Sequence, residues 1–152
     1  MIAVLAWAGV AAALVSQHLL GLQPCPWCII QRLLYLLVGF FAILSLFATQ
    51  TSLWARTPLF LAALAAMGGF AAAMYQHFVA AETSSCAFTA ADKFLMATGL
   101  DELLPTVFKA TAACDEANAP MLGVPYSLWS AALAVLLLAA IVRAFARAGL
   151  RS

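Results

Sequence analysis

Four long apolar segments divide the chain, and short stretches rich in polar or turn-forming residues separate them. At about 1.5 Å per helical residue, some 20 residues cross the roughly 30 Å hydrocarbon core of a bilayer. The pattern therefore predicts an all-α membrane protein, a four-transmembrane-helix bundle that forms one domain over residues 1–152. The predicted spans are approximately 1–20, 27–47, 58–78 and 126–146.

The first segment has a rival interpretation as a cleaved secretory signal. It carries no basic residue ahead of its apolar run, and no convincing cleavage site precedes the end of that run. A secretory signal normally has both features. We therefore expect a transmembrane helix here.

Glycine and proline mark the boundaries of the predicted helices. Gly21 and Pro24 end the first helix, because glycine ends helices readily and proline cannot donate its backbone hydrogen bond. Pro26 and Pro58 suit the first turns of the second and third helices. The short connection at 48–57 then makes these two helices antiparallel neighbours.

The composition changes between residues 79 and 125, which contain all six acidic residues and no run long enough to span a membrane. We expect one long extramembrane loop here. Within it, apolar residues at helical spacing predict a short helix, which either lies in the membrane interface or packs against the top of the bundle. This stripe consists of Leu100, Leu103, Leu104, Val107 and Phe108.

The overall composition supports a membrane protein. Hydrophobic residues make up 66% of the chain and charged residues 9%, whereas a soluble domain is about 25% charged. No nucleic-acid partner is expected.

The basic residues predict the orientation of the helices. Lysine and arginine near span ends favour the cytoplasmic side of a membrane. The rule therefore places both termini and the 48–57 connection in the cytoplasm, and by alternation the 79–125 loop on the opposite side of the membrane. The basic residues on the predicted cytoplasmic side are Arg56, Arg143, Arg147 and Arg151.

The chemistry of the chain is concentrated where the second helix begins. Cys25 and Cys28 form a C-x-x-C motif, and Arg32 follows four residues after Cys28. Two thiols at this spacing can close a small disulfide ring, and the N-terminus of a helix stabilises a thiolate. On a helix, Arg32 shares a face with Cys28. The motif therefore predicts redox chemistry.

The other two cysteines, Cys86 and Cys114, fall in the long loop and so on the same predicted side of the membrane. An oxidising compartment favours disulfides, Cys25–Cys28 by proximity and Cys86–Cys114 by elimination, although three connectivities are possible. A structural staple for the loop is one alternative. A zinc site is another, but the wide separation of the loop cysteines and the oxidising compartment disfavour it, and we expect no metal.

Two cysteine pairs on one face favour an electron relay. Thiol–disulfide exchange requires one sulfur to attack another directly, so the loop pair must travel to the anchored pair. At the edge of a bilayer the accessible terminal acceptor is a lipid-soluble quinone, either ubiquinone or menaquinone. We expect Arg32 to bind the quinone and stabilise developing negative charge; an arginine that only reaches the headgroups is the alternative. His77 is a candidate for the other quinone oxygen or for proton transfer, and equally a simple interfacial histidine.

At these positions the sequence resembles the disulfide bond formation protein B (DsbB) family. The resemblance implies a four-helix inner-membrane thiol:quinone oxidoreductase that reoxidises a periplasmic, DsbA-like oxidase of the thioredoxin fold. It also implies that Cys86 forms the mixed disulfide with this partner, that Cys114 attacks Cys25, and that Cys28 acts at the quinone beside Arg32. The matching stretches are Leu22 to Arg32, Tyr75-Gln76-His77, Cys86-Ala87-Phe88 and Cys114.

A vitamin K epoxide reductase-like oxidase and a disulfide-stapled membrane scaffold without enzymatic activity are rival interpretations. The first is expected to carry its C-x-x-C near the last helix, which is the reverse of the order here. The second predicts inert disulfides. The middle of the loop, roughly 89–112, matches the DsbB family only loosely, which leaves the selectivity for a partner open.

Overall fold

The computed structural model describes residues 1–47, 56–82, 89–118 and 120–149, with the side chains of 148 and 149 excepted. The described part of the chain is mostly helical. Its elements are α1 (Ile2–Leu19), α2 (Pro26–Phe47), α3 (Thr57–Tyr75), α4 (Ala90–Thr98), α5 (Leu100–Leu103), α6 (Pro105–Phe108), α7 (Cys114–Ala117), β1 (Pro120–Met121), β2 (Val124–Pro125) and α8 (Tyr126–Gly149).

The predicted four-helix membrane fold is confirmed. Helices α1, α2, α3 and α8 are long and apolar enough to cross a membrane, and their bounds fall within a few residues of the predicted spans. Helix α3 continues into one π-helical turn, Gln76–Ala80, which extends that span to Ala80. Pro26 begins α2, and a proline lies in the first turn of α3, as the sequence predicts.

Small residues let the helices approach one another closely. A β-carbon added at Gly69 of α3 would lie 2.8 Å from the ring of Tyr35 on α2, and one added at Gly39 would overlap the indole of Trp7 on α1. Small side chains of this kind allow membrane helices to pack through backbone contacts. The buried small residues of α3 are Ala62, Ala65, Ala66, Gly69, Ala72 and Ala73.

The prediction of one amphipathic helix in the loop is not confirmed. Helices α5 and α6 are separate turns that break at Leu104, whose φ of −138° and ψ of 71° are not helical. The cause is Pro105, because proline disfavours the helical conformation in the residue before it. The apolar stripe is divided: Phe108 is buried against Ile29 and Leu95, whereas Leu103 is 73% exposed.

The loop contains further elements that the sequence did not predict. Helix α4 begins at a capping box, in which Thr89 and Asp92 each accept a hydrogen bond from the other's backbone N–H, and ends at Gly99 with a φ of +64°. Strands β1 and β2 pair antiparallel, and Leu122 and Gly123 in the turn between them both have positive φ. This small ribbon leads directly into α8.

Candidate active site

The two cysteines of the C-x-x-C motif lie in contact at the start of α2. Cys25 precedes the helix and Cys28 lies in its first turn, and both are buried. Their sulfur atoms are 3.1 Å apart, and the backbone N–H of Cys28 donates to the sulfur of Cys25 at 3.4 Å. A disulfide needs sulfur atoms about 2.05 Å apart. The structure therefore holds the pair as free thiols that a small movement would bring to bonding distance.

The loop positions Cys114 beside Cys25 and Cys28 at the start of α2. The backbone N–H groups of Thr111 and Ala112 donate to the carbonyl of Pro24 at 3.0 and 3.3 Å, next to Cys25. Cys114 is buried and packs against Cys25 and Cys28. These three residues, named here the thiol cluster, place a loop sulfur beside the anchored pair. Cys86 lies outside the described residues.

Hydrogen bonds within the cluster shift the pKa values of Cys25 and Cys114 in opposite directions. The pKa of Cys114 is lowered from its ordinary value, chiefly because the side chain of Cys25 donates a hydrogen bond to its sulfur. The pKa of Cys25 is raised by the same hydrogen bond, by that to Cys28 and by burial. A thiolate is the attacking species in disulfide exchange. Cys114 is therefore better suited to act as a nucleophile, and Cys25 better suited to hold a proton.

Arg32 is buried inside the bundle, only 5% exposed, and does not extend to the surface. Its Nη1 donates to Oε1 of Gln17 at 2.7 Å and to the carbonyl of Val107 at 3.0 Å, and its Nη2 donates to the carbonyl of Ala13 at 3.4 Å. All three acceptors are neutral. A buried guanidinium with neutral partners keeps its charge available for an anion or a polarised oxygen.

A cavity of about 270 Å³ adjoins Cys28 and Arg32 between α1, α2 and α8. Its walls are mostly apolar, with a few polar groups at one side, which is the usual composition of a small-molecule site. The residues that line it are Gly9, Val10, Ala12, Ala13, Ser16, Cys28, Gln31, Arg32, Tyr35, Met121, Tyr126, Trp129, Ser130 and Leu133.

The sequence prediction did not assign roles to several polar residues of this region. The side-chain amide of Gln76 donates to the sulfur of Cys28 at 3.2 Å and accepts from Gln31 at 2.7 Å. In the cavity wall, the Tyr35 hydroxyl donates to the carbonyl of Ser130 at 2.8 Å. Polar residues within apolar spans are costly unless they are paired. Their presence in the predicted helices was the signal that could have identified them.

His77 lies elsewhere. Its Nδ1 is 3.1 Å from the hydroxyl of Ser127, so that the residue links the end of α3 to the start of α8. It does not line the cavity that contains Cys28 and Arg32. The predicted contact between His77 and a quinone therefore has no support from this placement.

Comparison with known proteins gives consistent results. A family model described as disulfide bond formation protein DsbB matches residues 1–144. Disulfide bond formation protein B of Ralstonia nicotianae is 34% identical over 149 residues, which cover 97% of this chain and 91% of that relative. Proteins with the same description from Cupriavidus metallidurans and Dechloromonas aromatica are 34% and 35% identical; they match 86% and 88% of this chain, and the matches cover 80% and 79% of those relatives. No solved structure matches the chain significantly.

Proposed function

Because the chain belongs to the disulfide bond formation protein DsbB family, we propose that it is a thiol:quinone oxidoreductase of the bacterial inner membrane. In this proposal it reoxidises a DsbA-like, thioredoxin-fold dithiol oxidase of the periplasm and passes the electrons to a membrane quinone. The observation that carries the proposal is the position of Cys28. It belongs to the thiol cluster and also lines the cavity that contains Arg32.

The proposed orientation puts the thiol cluster on the periplasmic side and both termini in the cytoplasm. The distribution of basic residues supports it, since Arg56 at the start of α3 and Arg143 and Arg147 at the end of α8 lie at the bundle end opposite the thiol cluster. Basic residues near span ends favour the cytoplasmic side.

The first exchange takes electrons from the partner. A thiolate of the reduced partner attacks Cys86 of a Cys86–Cys114 disulfide, forms a mixed disulfide and releases the thiolate of Cys114. The partner's second thiolate then attacks the partner's first sulfur in the mixed disulfide and releases Cys86. The partner leaves oxidised, and Cys86 and Cys114 have received two electrons.

The second exchange passes the electrons to the anchored pair. The Cys114 thiolate attacks the sulfur of Cys25, so that a Cys25–Cys114 bond forms, the Cys25–Cys28 bond breaks and Cys28 leaves as a thiolate. Cys86 then attacks Cys114, restores the loop disulfide and releases Cys25. The contact of Cys114 with Cys25 supports this direction of attack.

The cavity residues fit a quinone head group. Apolar side chains suit the faces of a planar ring, and the guanidinium of Arg32 is a donor for a ring oxygen. The chemistry that a bound quinone supplies is the acceptance of two electrons and two protons, by which the Cys25 and Cys28 thiols return to the disulfide. Arg32 stabilises negative charge beside Cys28 during this return.

The proposed function is tested with the purified protein in detergent under anaerobic conditions. The assay contains a reduced thioredoxin-fold dithiol partner and either ubiquinone or menaquinone, and it follows the absorbance of the quinone. We expect reduction of at least one quinone in step with oxidation of the partner. If neither quinone is reduced, the proposed function is wrong.

Replacement of Cys86 with serine is expected to abolish capture of the partner. The partner used for capture lacks its second cysteine, so that the mixed disulfide cannot resolve and is visible on a non-reducing gel. The matched control is Cys25→Ser, which leaves the loop disulfide in place and is expected to retain capture. A mixed disulfide that persists through Cys114 in the Cys86→Ser variant would overturn the assignment of these two roles.

A further inference from the structure

A pair of hydrogen-bonded, buried glutamines lies beside Cys28, and one of them contacts its sulfur. Gln31 is 4% exposed and Gln76 fully buried. Both lie in membrane-spanning segments, Gln31 on α2 and Gln76 at the start of the π-helical turn after α3. Buried amides are costly in such surroundings unless they are hydrogen-bonded. One hydrogen bond joins the two amides, and a second runs from Gln76 to the sulfur of Cys28.

The orientation of the Gln76 amide is determined by Gln31. Oε1 of Gln76 accepts from Nε2 of Gln31 at 2.7 Å, so that Nε2 of Gln76 faces the sulfur of Cys28 at 3.2 Å. If Gln76 turned its amide over, two N–H donors would face each other and its carbonyl oxygen would face the sulfur. Gln31 lies three residues after Cys28 on the same helix, and thus on nearly the same face. With Gln31 in this orientation, Gln76 is a donor to the sulfur.

The backbone at Gln76 is consistent with a specialised position. The N–H of Ala81 bonds to the carbonyl of Gln76 at 2.9 Å, a bond that spans five residues instead of the usual four. Such π turns are rare and occur often at functional sites. Here the π turn follows α3 and begins at Gln76, the residue that contacts Cys28.

We propose that Gln76, oriented by Gln31, is a permanent hydrogen-bond donor to the sulfur of Cys28 and stabilises its thiolate. Gln76 contacts the reacting sulfur, whereas Gln31 is a positioning residue that acts through Gln76. A neutral amide stabilises a thiolate but cannot protonate it. When Cys114 attacks Cys25, Cys28 is the leaving group, and a stabilised leaving group accelerates the exchange. This last consequence rests on the proposed function; the stabilisation of the thiolate does not.

The test measures how readily Cys28 is alkylated in the full chain. The natural chain has four cysteines. Replacement of Cys25, Cys86 and Cys114 with serine leaves Cys28 as its single thiol. Iodoacetamide reacts with thiolates, so the ratio of its rate at neutral pH to its rate at strongly alkaline pH reports the fraction of thiolate and cancels differences in access. Among the described residues, the charged or titratable groups near Cys28 are Cys25, Cys114, Arg32 and, in the cavity wall, Tyr35 and Tyr126. Arg32 and both tyrosines are the same in every variant.

We expect Gln76→Met to lower this ratio roughly tenfold, the effect of losing one hydrogen bond to a charged group. Gln31→Met is expected to lower it by roughly threefold, because Gln76 keeps its amide but loses the partner that orients it. The matched control is Gln23→Met, since Gln23 is exposed and bonds to Thr111, and its ratio is expected to stay unchanged.

An unchanged ratio in Gln76→Met would overturn the proposal, and an unchanged ratio in Gln31→Met would overturn the positioning role of Gln31. A variant that fails to fold is recognised by aggregation in size-exclusion chromatography, and Gln76→Asn then replaces Gln76→Met. Asparagine retains an amide, but its shorter side chain cannot reach both partners, so its ratio is expected to fall below that of the wild type. A wild-type ratio in Gln76→Asn would also overturn the proposal. The assay contains neither quinone nor partner, so its outcome is independent of whether the chain reduces quinones.

Discussion

Cys28→Ser is expected to reduce quinone reduction to the uncatalysed background. Without the Cys28 sulfur the anchored pair cannot close, and the electrons have no route from Cys25 to the cavity. The loop pair is still intact in this variant. Without any quinone, we therefore expect one equivalent of partner to be oxidised per chain, compared with two in the wild type, which has two cysteine pairs.

Both quantities are measured under anaerobic conditions, quinone reduction by absorbance and partner oxidation by titration of its remaining thiols. Ser45→Ala is a control on the same helix, since Ser45 bonds only to the backbone of its own helix at Ala42 in the part of the chain that the structure describes. It is expected to behave as wild type. Continued quinone turnover in Cys28→Ser, or oxidation of two equivalents, would contradict the role of Cys28.

Arg32→Met is expected to raise the KM for quinone roughly 30-fold, which corresponds to the loss of about 2 kcal/mol from a hydrogen bond to a charged donor. Methionine preserves much of the side-chain length in the cavity wall but removes the guanidinium. Arg32→Lys keeps the charge without the planar fork of donors, and an intermediate KM is expected. The measurement is a steady-state titration of quinone at saturating partner.

Arg56→Met is the matched control, because Arg56 is exposed at the start of α3, at the bundle end opposite the cavity. Its KM is expected to equal that of the wild type. If Arg32→Met leaves the KM unchanged, the contact with quinone is refuted. If only kcat falls, Arg32 acts on the sulfur of Cys28 and not on the acceptor.

The membrane-spanning helices were predictable because their signal is local. A run of apolar residues and the prolines at its start are sufficient to place a helix within a few residues, as for Pro26 in α2. In the loop the helical signal was weaker. The capping box of Thr89 and Asp92 is a sequence signal for the start of α4. The apolar spacing around Leu104 is that of one helix, but Pro105 interrupts it.

The C-x-x-C motif and the arginine after it could also be identified from the sequence. The spacing of Cys28 and Arg32 along α2 determines that they share a face of it, because helical geometry relates residues three or four positions apart. Cys25 directly precedes this helix. Which residues meet them from other helices does not follow from this spacing. The approach of Cys114 to Cys25 depends on hydrogen bonds between the loop and Pro24.

The sequence by itself thus determined the four membrane helices, the C-x-x-C motif at the mouth of α2 and the cation one turn below it. Only the tertiary structure decided that α1, α2 and α8 enclose the cavity, that Gln76 bonds to Cys28, and that His77 turns to Ser127 instead. The physical reason is that apolar periodicity and helical spacing are properties of neighbouring residues. The partners of a buried side chain depend on how distant helices rotate and pack against one another.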